Sequence, residues 1–382
     1  MALRFGVEEE YFVADPGSRS VVPRAPAVVE RASATLGERA STELIAFLAE
    51  AKTSPCDDLG KLEEQIREMR AVMAGAAARE GVRLVATGTP VLGEPLPPPI
   101  TPGARYAESL ATYRALDDEQ CICSCHVHVE MPDPERAVQV SNHLRPWLPT
   151  LLALTANSPY WAGRDTGHAC WRVMAWARWP VAGPPPFFRS LAHYEDLVAT
   201  LLESGALMDT GTIFWDVRPS ARLPTLEIRL GDVAMTAGEA VLFAALARAL
   251  VTVSLAAVEA GEAAPDPAPE LLRAAYWLAA RHGLPGDGVD VLTGRRVPFR
   301  RMARDLLAHV GPALAEAGDL DRAAASLEKV LLEGNGAQRQ RAVYRHRERL
   351  ADVVDVAVLD TDPPGLGNGV PGRHPSASEP DV

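Results

Sequence analysis

Lysine is almost missing from this chain. Only Lys52, Lys61 and Lys329 are lysines among its 38 basic residues, and arginine supplies the rest. Such a skew follows from GC-rich coding, and no function is read from it. Net positive charge is missing as well: 38 basic against 50 acidic residues leave −12, which excludes nucleic acid and anionic membranes as partners held by general electrostatics. Cysteines number five in 382 residues (Cys56, Cys121, Cys123, Cys125 and Cys170), too few and too unevenly placed for a disulfide framework. They read as reduced thiols. No secretory leader is visible, because Glu8, Glu9 and Glu10 interrupt any early apolar run. The most apolar later stretch, Val241 to Val258, carries Arg248 and reads as a buried helix, so the expectation is a soluble, cytoplasmic protein.

The usual phosphate-binding signatures are absent too. No G-x-x-x-x-G-K-[ST] occurs, Gly60-Lys61 lacking the rest of it, and there is no Rossmann glycine fingerprint. Were a nucleotide to bind, metals and arginines would have to hold its phosphates.

What is present is an ordinary globular composition, 47% hydrophobic and 23% charged. Strands are expected over Leu3–Ala14, about Leu44–Thr53, Arg83–Thr87 and Cys121–Met131, with a strand pair at Thr212–Arg218 and Pro224–Val233. Leu62, Ile66, Met69 and Met73 give residues Asp57–Arg79 one apolar helical face. Further helices are expected at Pro134–Leu144 and Leu148–Ala156. Thr236 and Glu239 form a capping box opening a helix to Val258. Helices near Leu271–His282, Phe299–Ala317, Leu320–Glu333 and Ala337–Val358 follow, with Pro95–Pro102 and Pro180–Pro186 as loops. Strands mixed with helices early and helices alone late imply an α+β fold, an antiparallel sheet under a helical cover. Residues 1–359 are expected to form one domain. Asp360–Val382, rich in Pro, Gly and Ser, is expected to be disordered.

Alternate residues of a strand share a face. Glu8 and Glu10 therefore project together, with Glu9 on the other side beside Val7 and Tyr11. One reading is a solvated acidic edge. The other is a cation site, favoured by the apolar flanks, since paired carboxylates on such a strand repel unless a cation offsets them. In Thr225-Leu226-Glu227-Ile228-Arg229-Leu230, Glu227 and Arg229 share a face. They are either an intrastrand ion pair or a metal carboxylate beside a phosphate-binding guanidinium. Ser124, His126, His128 and Glu130 share a third face, opposite Cys123, Cys125, Val127 and Val129. That opposition disfavours zinc, because thiols and imidazoles on opposite sides cannot close on one ion. Oxygen-rich ligation points instead to Mg²⁺ or Mn²⁺.

Gly6-Val7-Glu8-Glu9-Glu10, Cys125-His126-Val127-His128-Val129, Ala156-Asn157-Ser158-Pro159 and Trp215-Asp216-Val217-Arg218-Pro219 resemble motifs of the YbdK-type carboxylate–amine ligases, a bacterial branch of the glutamate–cysteine ligase superfamily. Pro224 to Arg229 with Asp232-Val233, and Gly336-Ala337-Gln338-Arg339-Gln340, continue the match in family order over about residues 3 to 355. The resemblance implies a glutamine-synthetase-like sheet funnel. It implies ATP and Mg²⁺ or Mn²⁺ as cofactors, with amino-acid or amine substrates joined through an acyl phosphate. By the same resemblance Glu8, Glu10, Glu43, Glu50, His126 and Glu227 are metal or nucleotide ligands, and Glu227 and Arg229 are catalytic. His128, Asn157, Arg172 and Arg218 are candidates for binding nucleotide or substrate. Arg164, Arg172 and Arg178 are candidates for a substrate carboxylate against structural roles. A homodimer is compatible with the family. Ser124 and Glu130 stand where the family usually has glycine, and Pro90 where it often has histidine; these departures bear on substrate choice. The rivals are a phosphotransferase of the same fold and a catalytically silent relative.

Overall fold

A computed structural model describes residues 3–359. The segment 360–382, for which disorder is expected, lies outside the described residues. In chain order the main sheet comprises β1 (Phe5–Ala14), β2 (Ala40–Thr42), β3 (Leu48–Lys52), β4 (Arg83–Val85), β5 (Ser124–Glu130), β6 (Val217–Pro219) and β7 (Thr225–Asp232). All its pairings are antiparallel, in the order β6-β7-β5-β1-β3-β2, with β4 against the far end of β1. β1 is therefore central, and the fold is α+β.

The period of two sorts this sheet into two chemistries. Val7, Cys125, Val127, Val129, Leu226, Ile228 and Leu230 are buried in one apolar cluster with helix residues such as Phe243, Leu246 and Leu250. These last belong to Ala237–Glu259, opened by the expected Thr236–Glu239 capping box. That helix is long and apolar enough to cross a membrane, yet 67% of its most apolar window is buried inside this protein. Its Arg248 lies 4.2 Å over the Phe5 ring and pairs with Asp319. The helix Leu59–Arg79 starts at Asp58, whose side chain accepts from the Lys61 N–H at 2.7 Å.

One charged pair sits on the apolar side. Glu9 is wholly buried and accepts from Arg70 Nε at 2.8 Å and from the Tyr11 hydroxyl at 2.7 Å. The middle glutamate of the triple is thus a structural anchor between β1 and the helix above it.

Three expectations are corrected. Phe214–Trp215 does not pair with β7; it pairs in parallel with Ala182–Gly183, inside the stretch expected to be a loop. The break comes at Asp216, whose carbonyl instead accepts from the Arg229 N–H at 2.7 Å. The helix expected over Ala337–Val358 is two, Gly336–Arg347 and Leu350–Val356, divided where Glu348 takes a left-handed φ of 53°. Helices at Ala25–Leu36, Ala104–Tyr113 and Leu191–Glu203 were not foreseen.

Glu9→Gln is expected to destabilise the protein by about 3 to 5 kcal/mol, because it leaves the Arg70 guanidinium buried without its counter-charge. Urea denaturation measures this; a loss under about 1 kcal/mol would show that the pair does not anchor the helix.

Candidate active site

The polar face of the sheet forms the floor of a cleft of about 810 Å³. Its residues stand in cross-strand rows set by register. Arg218, Glu227 and His128 form one row across β6, β7 and β5. Lys52, Glu8 and His126 form the next across β3, β1 and β5, and Ser41, Glu50 and Glu10 a third across β2, β3 and β1. Glu43 joins from the turn between β2 and β3. Oxygen atoms of Glu10, Glu43 and Glu50 lie within 4.8 Å of one another, the arrangement of a cation site.

Each member is held by its neighbours. Ser124 donates to Glu10 twice, from N–H at 2.7 Å and from its hydroxyl at 2.8 Å, and its Oγ also lies 2.8 Å from His126 Nε2. His126 Nδ1 then faces Glu8 at 3.6 Å and Glu227 at 3.9 Å. His128 Nδ1 lies 2.9 Å from the Thr225 hydroxyl, with Nε2 3.7 Å from Glu8. Glu227 accepts from Arg218 Nε at 2.8 Å and is paired with Arg229.

β7 reaches this geometry through a register shift between Ile228 and Gly231. A side chain at Gly231 would come within 2.8 Å of the Phe243 ring, so glycine is what lets the strand bend onto the helix. Arg172 braces the bend, donating to the Arg229 carbonyl at 2.7 Å and the Leu230 carbonyl at 3.1 Å. It also lines the cleft, and its Nε is buried with no hydrogen-bond partner among the described residues.

Asn157 stands apart from the cleft. Its amide donates to the Ala86 and Val233 carbonyls at 2.8 and 2.9 Å, and its Oδ1 accepts from Gln340 at 2.7 Å. A side chain on Gly336 would collide with it at 1.9 Å. The Asn157 and Gly336–Gln340 motifs thus meet each other, and the sequence match there reports packing. Arg178 is an exposed partner of Glu119, and Arg164 is exposed. Of the departures from the family pattern, only Ser124 lines the cleft. Glu130 accepts from the Arg4 N–H at 3.2 Å, and the Pro90 carbonyl accepts from the Ala162 N–H at 3.0 Å.

Cys123 and Cys125 face away, as alternation requires, and with Cys121 and Cys170 they are fully buried. Sequence reasoning missed Lys52, Tyr106, Asp117, Trp176 and Trp179, which all line the cleft. Lys52 was accessible by counting two residues on from Glu50. The others lie on or beside helices whose sequence carries no such signal.

The electrostatics divide the floor. Burial opposes ionisation of Glu227, but Arg229 and Arg218 outweigh it and hold the carboxyl well below its usual range. Burial likewise opposes Glu8, which His126 and His128 keep low. On the other side, burial and then the Glu50 carboxylate push Glu10 up to about 7, against the Ser124 hydrogen bonds. Burial, then Glu50 and Glu10, push Glu43 well up too. His126 is lowered to about 4 by burial and by Arg229, so it is a neutral imidazole with a lone pair to offer. Hard carboxylate oxygens whose ionised form is disfavoured only by burial and each other are the donor set that Mg²⁺ or Mn²⁺ fits.

Comparison with known proteins identifies the family. The family model for glutamate-cysteine ligase family 2 matches residues 4–356. A Saccharopolyspora erythraea protein provisionally named glutamate–cysteine ligase 2-1 is 44% identical over 376 residues, covering 98% of this chain and 99% of that one. A Mycolicibacterium smegmatis relative, provisionally named glutamate–cysteine ligase 2-3, is 43% identical over 355 residues, covering 92% and 96%. Among solved structures, glutamate–cysteine ligase from Francisella tularensis in complex with AMP superposes with a TM-score of 0.70 at 12% identity, over 94% of this chain and 88% of that one. A bifunctional glutathione synthetase from Pasteurella multocida gives 0.69 at 14% identity, over 93% and 52%. The chain belongs to glutamate–cysteine ligase family 2 and is an enzyme of the carboxylate–amine ligase class. Its fold is shared with the Francisella glutamate–cysteine ligase and the Pasteurella bifunctional glutathione synthetase.

The raised carboxyls make a pH prediction. A carboxyl with an ordinary value of 4.5 that titrates near 7 when folded stabilises the fold fully below 4.5 and loses that contribution as pH rises through 7. A divalent cation on the cluster removes the penalty. Mn²⁺ is therefore expected to raise Tm much more at pH 8 than at pH 5, read by thermal denaturation of chelator-treated protein. Equal shifts at both pH values would contradict it.

Proposed function

We propose that this enzyme joins an acid to an amine at the expense of ATP through an acyl phosphate. The observation that carries the reading is the meeting of the Glu10–Glu43–Glu50 cluster with the Glu227–Arg218–Arg229 group in one cleft of a chain without a phosphate-binding loop. The nucleotide in the Francisella neighbour and the names of the relatives support it. L-Glutamate, through its γ-carboxylate, and L-cysteine are accordingly the first substrates to try.

Glu8, Glu10, Glu43, Glu50, Glu227 and His126 would hold Mg²⁺ or Mn²⁺. When bound, such ions supply positive charge against the phosphates and the incoming carboxylate. An oxygen of the acid attacks the γ-phosphorus, the bond to the β-phosphate oxygen breaks, and ADP leaves. The amine nitrogen then attacks the acyl carbon, the bond to the phosphate oxygen breaks, and the amine loses a proton. The protein's part is positioning and charge stabilisation. Glu227 keeps Arg218 and Arg229 aimed into the cleft. The planar fork of Arg229 suits the equatorial oxygens of the phosphoryl group in flight. Arg172 and the bend of β7 fix where that fork stands.

The test is incubation with ATP, Mg²⁺ and a panel of amino acids and amines, with products read by mass spectrometry. ADP with amide supports the reading. ADP with a phosphorylated product would make the enzyme a phosphotransferase, and no ADP with any pair would leave a silent relative. Arg229→Lys is expected to slow single turnover roughly a hundred- to a thousand-fold while nucleotide affinity stays within a few-fold, since lysine keeps the charge but loses the fork. A rate within a few-fold of the parent would pass the catalytic role to Arg218.

A further inference from the structure

Lys52 is one of three lysines in the chain, and it stands inside the acidic floor. It lies opposite Glu8 in the β1–β3 register and two residues from Glu50 on the same face. Its ammonium is 2.5 Å from Glu50 Oε1 and 3.7 Å from Glu8 Oε1. The same Glu50 oxygen also accepts from the Ser41 hydroxyl at 2.7 Å. Glu50 is in turn one of the three carboxylates gathered within 4.8 Å. Its side chain is only 6% exposed, against 34% for Lys52. The carboxylate is therefore fixed, and the ammonium is the member free to move.

We infer that Lys52 is the resident counter-ion of the Glu8–Glu10–Glu43–Glu50 cluster, a positioning residue that yields Glu50 when a divalent cation binds there. The inference rests on the metal placement proposed above. Three carboxylates on two neighbouring strands and a fourth from the adjoining turn repel one another, and without a cation the floor would be pushed apart. Lys52 supplies one positive charge where the metal would supply two. A lysine and a divalent ion sharing Glu50 also repel each other, so loading the metal requires the ammonium to swing away. Its flexible four-carbon stem allows this without moving the strand. The competition holds down the affinity for free metal. A polyphosphate arriving with the metal would accept the released ammonium, so metal and nucleotide should load together.

Chelator-treated full-length protein is titrated with MnCl₂ by calorimetry, first alone and then with ADP present. Lys52→Met is expected to bind Mn²⁺ alone about tenfold or more tighter than the parent. Lys52→Arg, which keeps the charge, should stay within about threefold. Without metal, Lys52→Met should melt below the parent, and saturating Mn²⁺ should close the gap. Should Lys52→Met not fold without metal, the same affinity is read from Lys52→Gln. Mn²⁺ affinity unchanged or weakened by loss of the charge overturns the inference while leaving the metal reading intact. Failure of the parent and all variants to bind Mn²⁺ would overturn both. The titration needs no turnover, so an inactive ligase assay does not decide it.

Discussion

Like-charge repulsion is the constraint around which this molecule is organised. Glu8, Glu10 and Glu50 share one side of two adjacent strands, and Glu43 joins them from the turn between β2 and β3. The surroundings answer in three ways. Ser124 donates twice to Glu10, Lys52 bridges Glu50 and Glu8, and a neutral His126 adds no competing charge. A few ångströms away the sign reverses, and Glu227 lies between two guanidiniums that keep it ionised. The cleft is thus a steep gradient of charge laid along a single sheet.

That gradient depends on features far from it in sequence. Arg229 points as it does because β7 bends at Gly231, Arg172 holds the bent carbonyls, and Asp216 takes the freed N–H. Asp232, at the end of the bend, accepts from the Asn157 N–H and the Ser158 hydroxyl, each at 2.7 Å. Asn157 in turn receives Gln340 from a helix near the described end of the chain. A line of buried hydrogen bonds connects that helix to the arginine side of the cleft.

Much of this was legible from spacing alone. Alternation in Glu8-Glu9-Glu10, in Ser124 to Glu130 and in Glu227-Ile228-Arg229 assigns faces correctly, because a half-buried strand permits no other arrangement. The capping box at Thr236 and Glu239 marks its helix start within a residue. What escaped is what tertiary contact decides. Asn157 is a polar residue in a matching motif, and only the fold shows its amide already engaged by backbone. The helix Leu191–Glu203 was legible and overlooked, since Leu191, Tyr194, Leu197, Val198, Leu201 and Leu202 recur at helical spacing and pack on one cluster. Trp176 and Trp179 lie in a stretch with no periodicity at all.

The two sides of β1 are not interchangeable, and this bears on how the gene can vary. The loops around the sheet can gain or lose codons at little cost, since their length enters chain entropy only logarithmically. A single codon added or removed within β1 is different in kind. It would turn Glu9 toward the cleft, strand Arg70 in the core, and carry Glu8 and Glu10 into the packing beneath the long helix. Point substitution can tune this strand, but length variation cannot, so its ten residues should be inherited as a block.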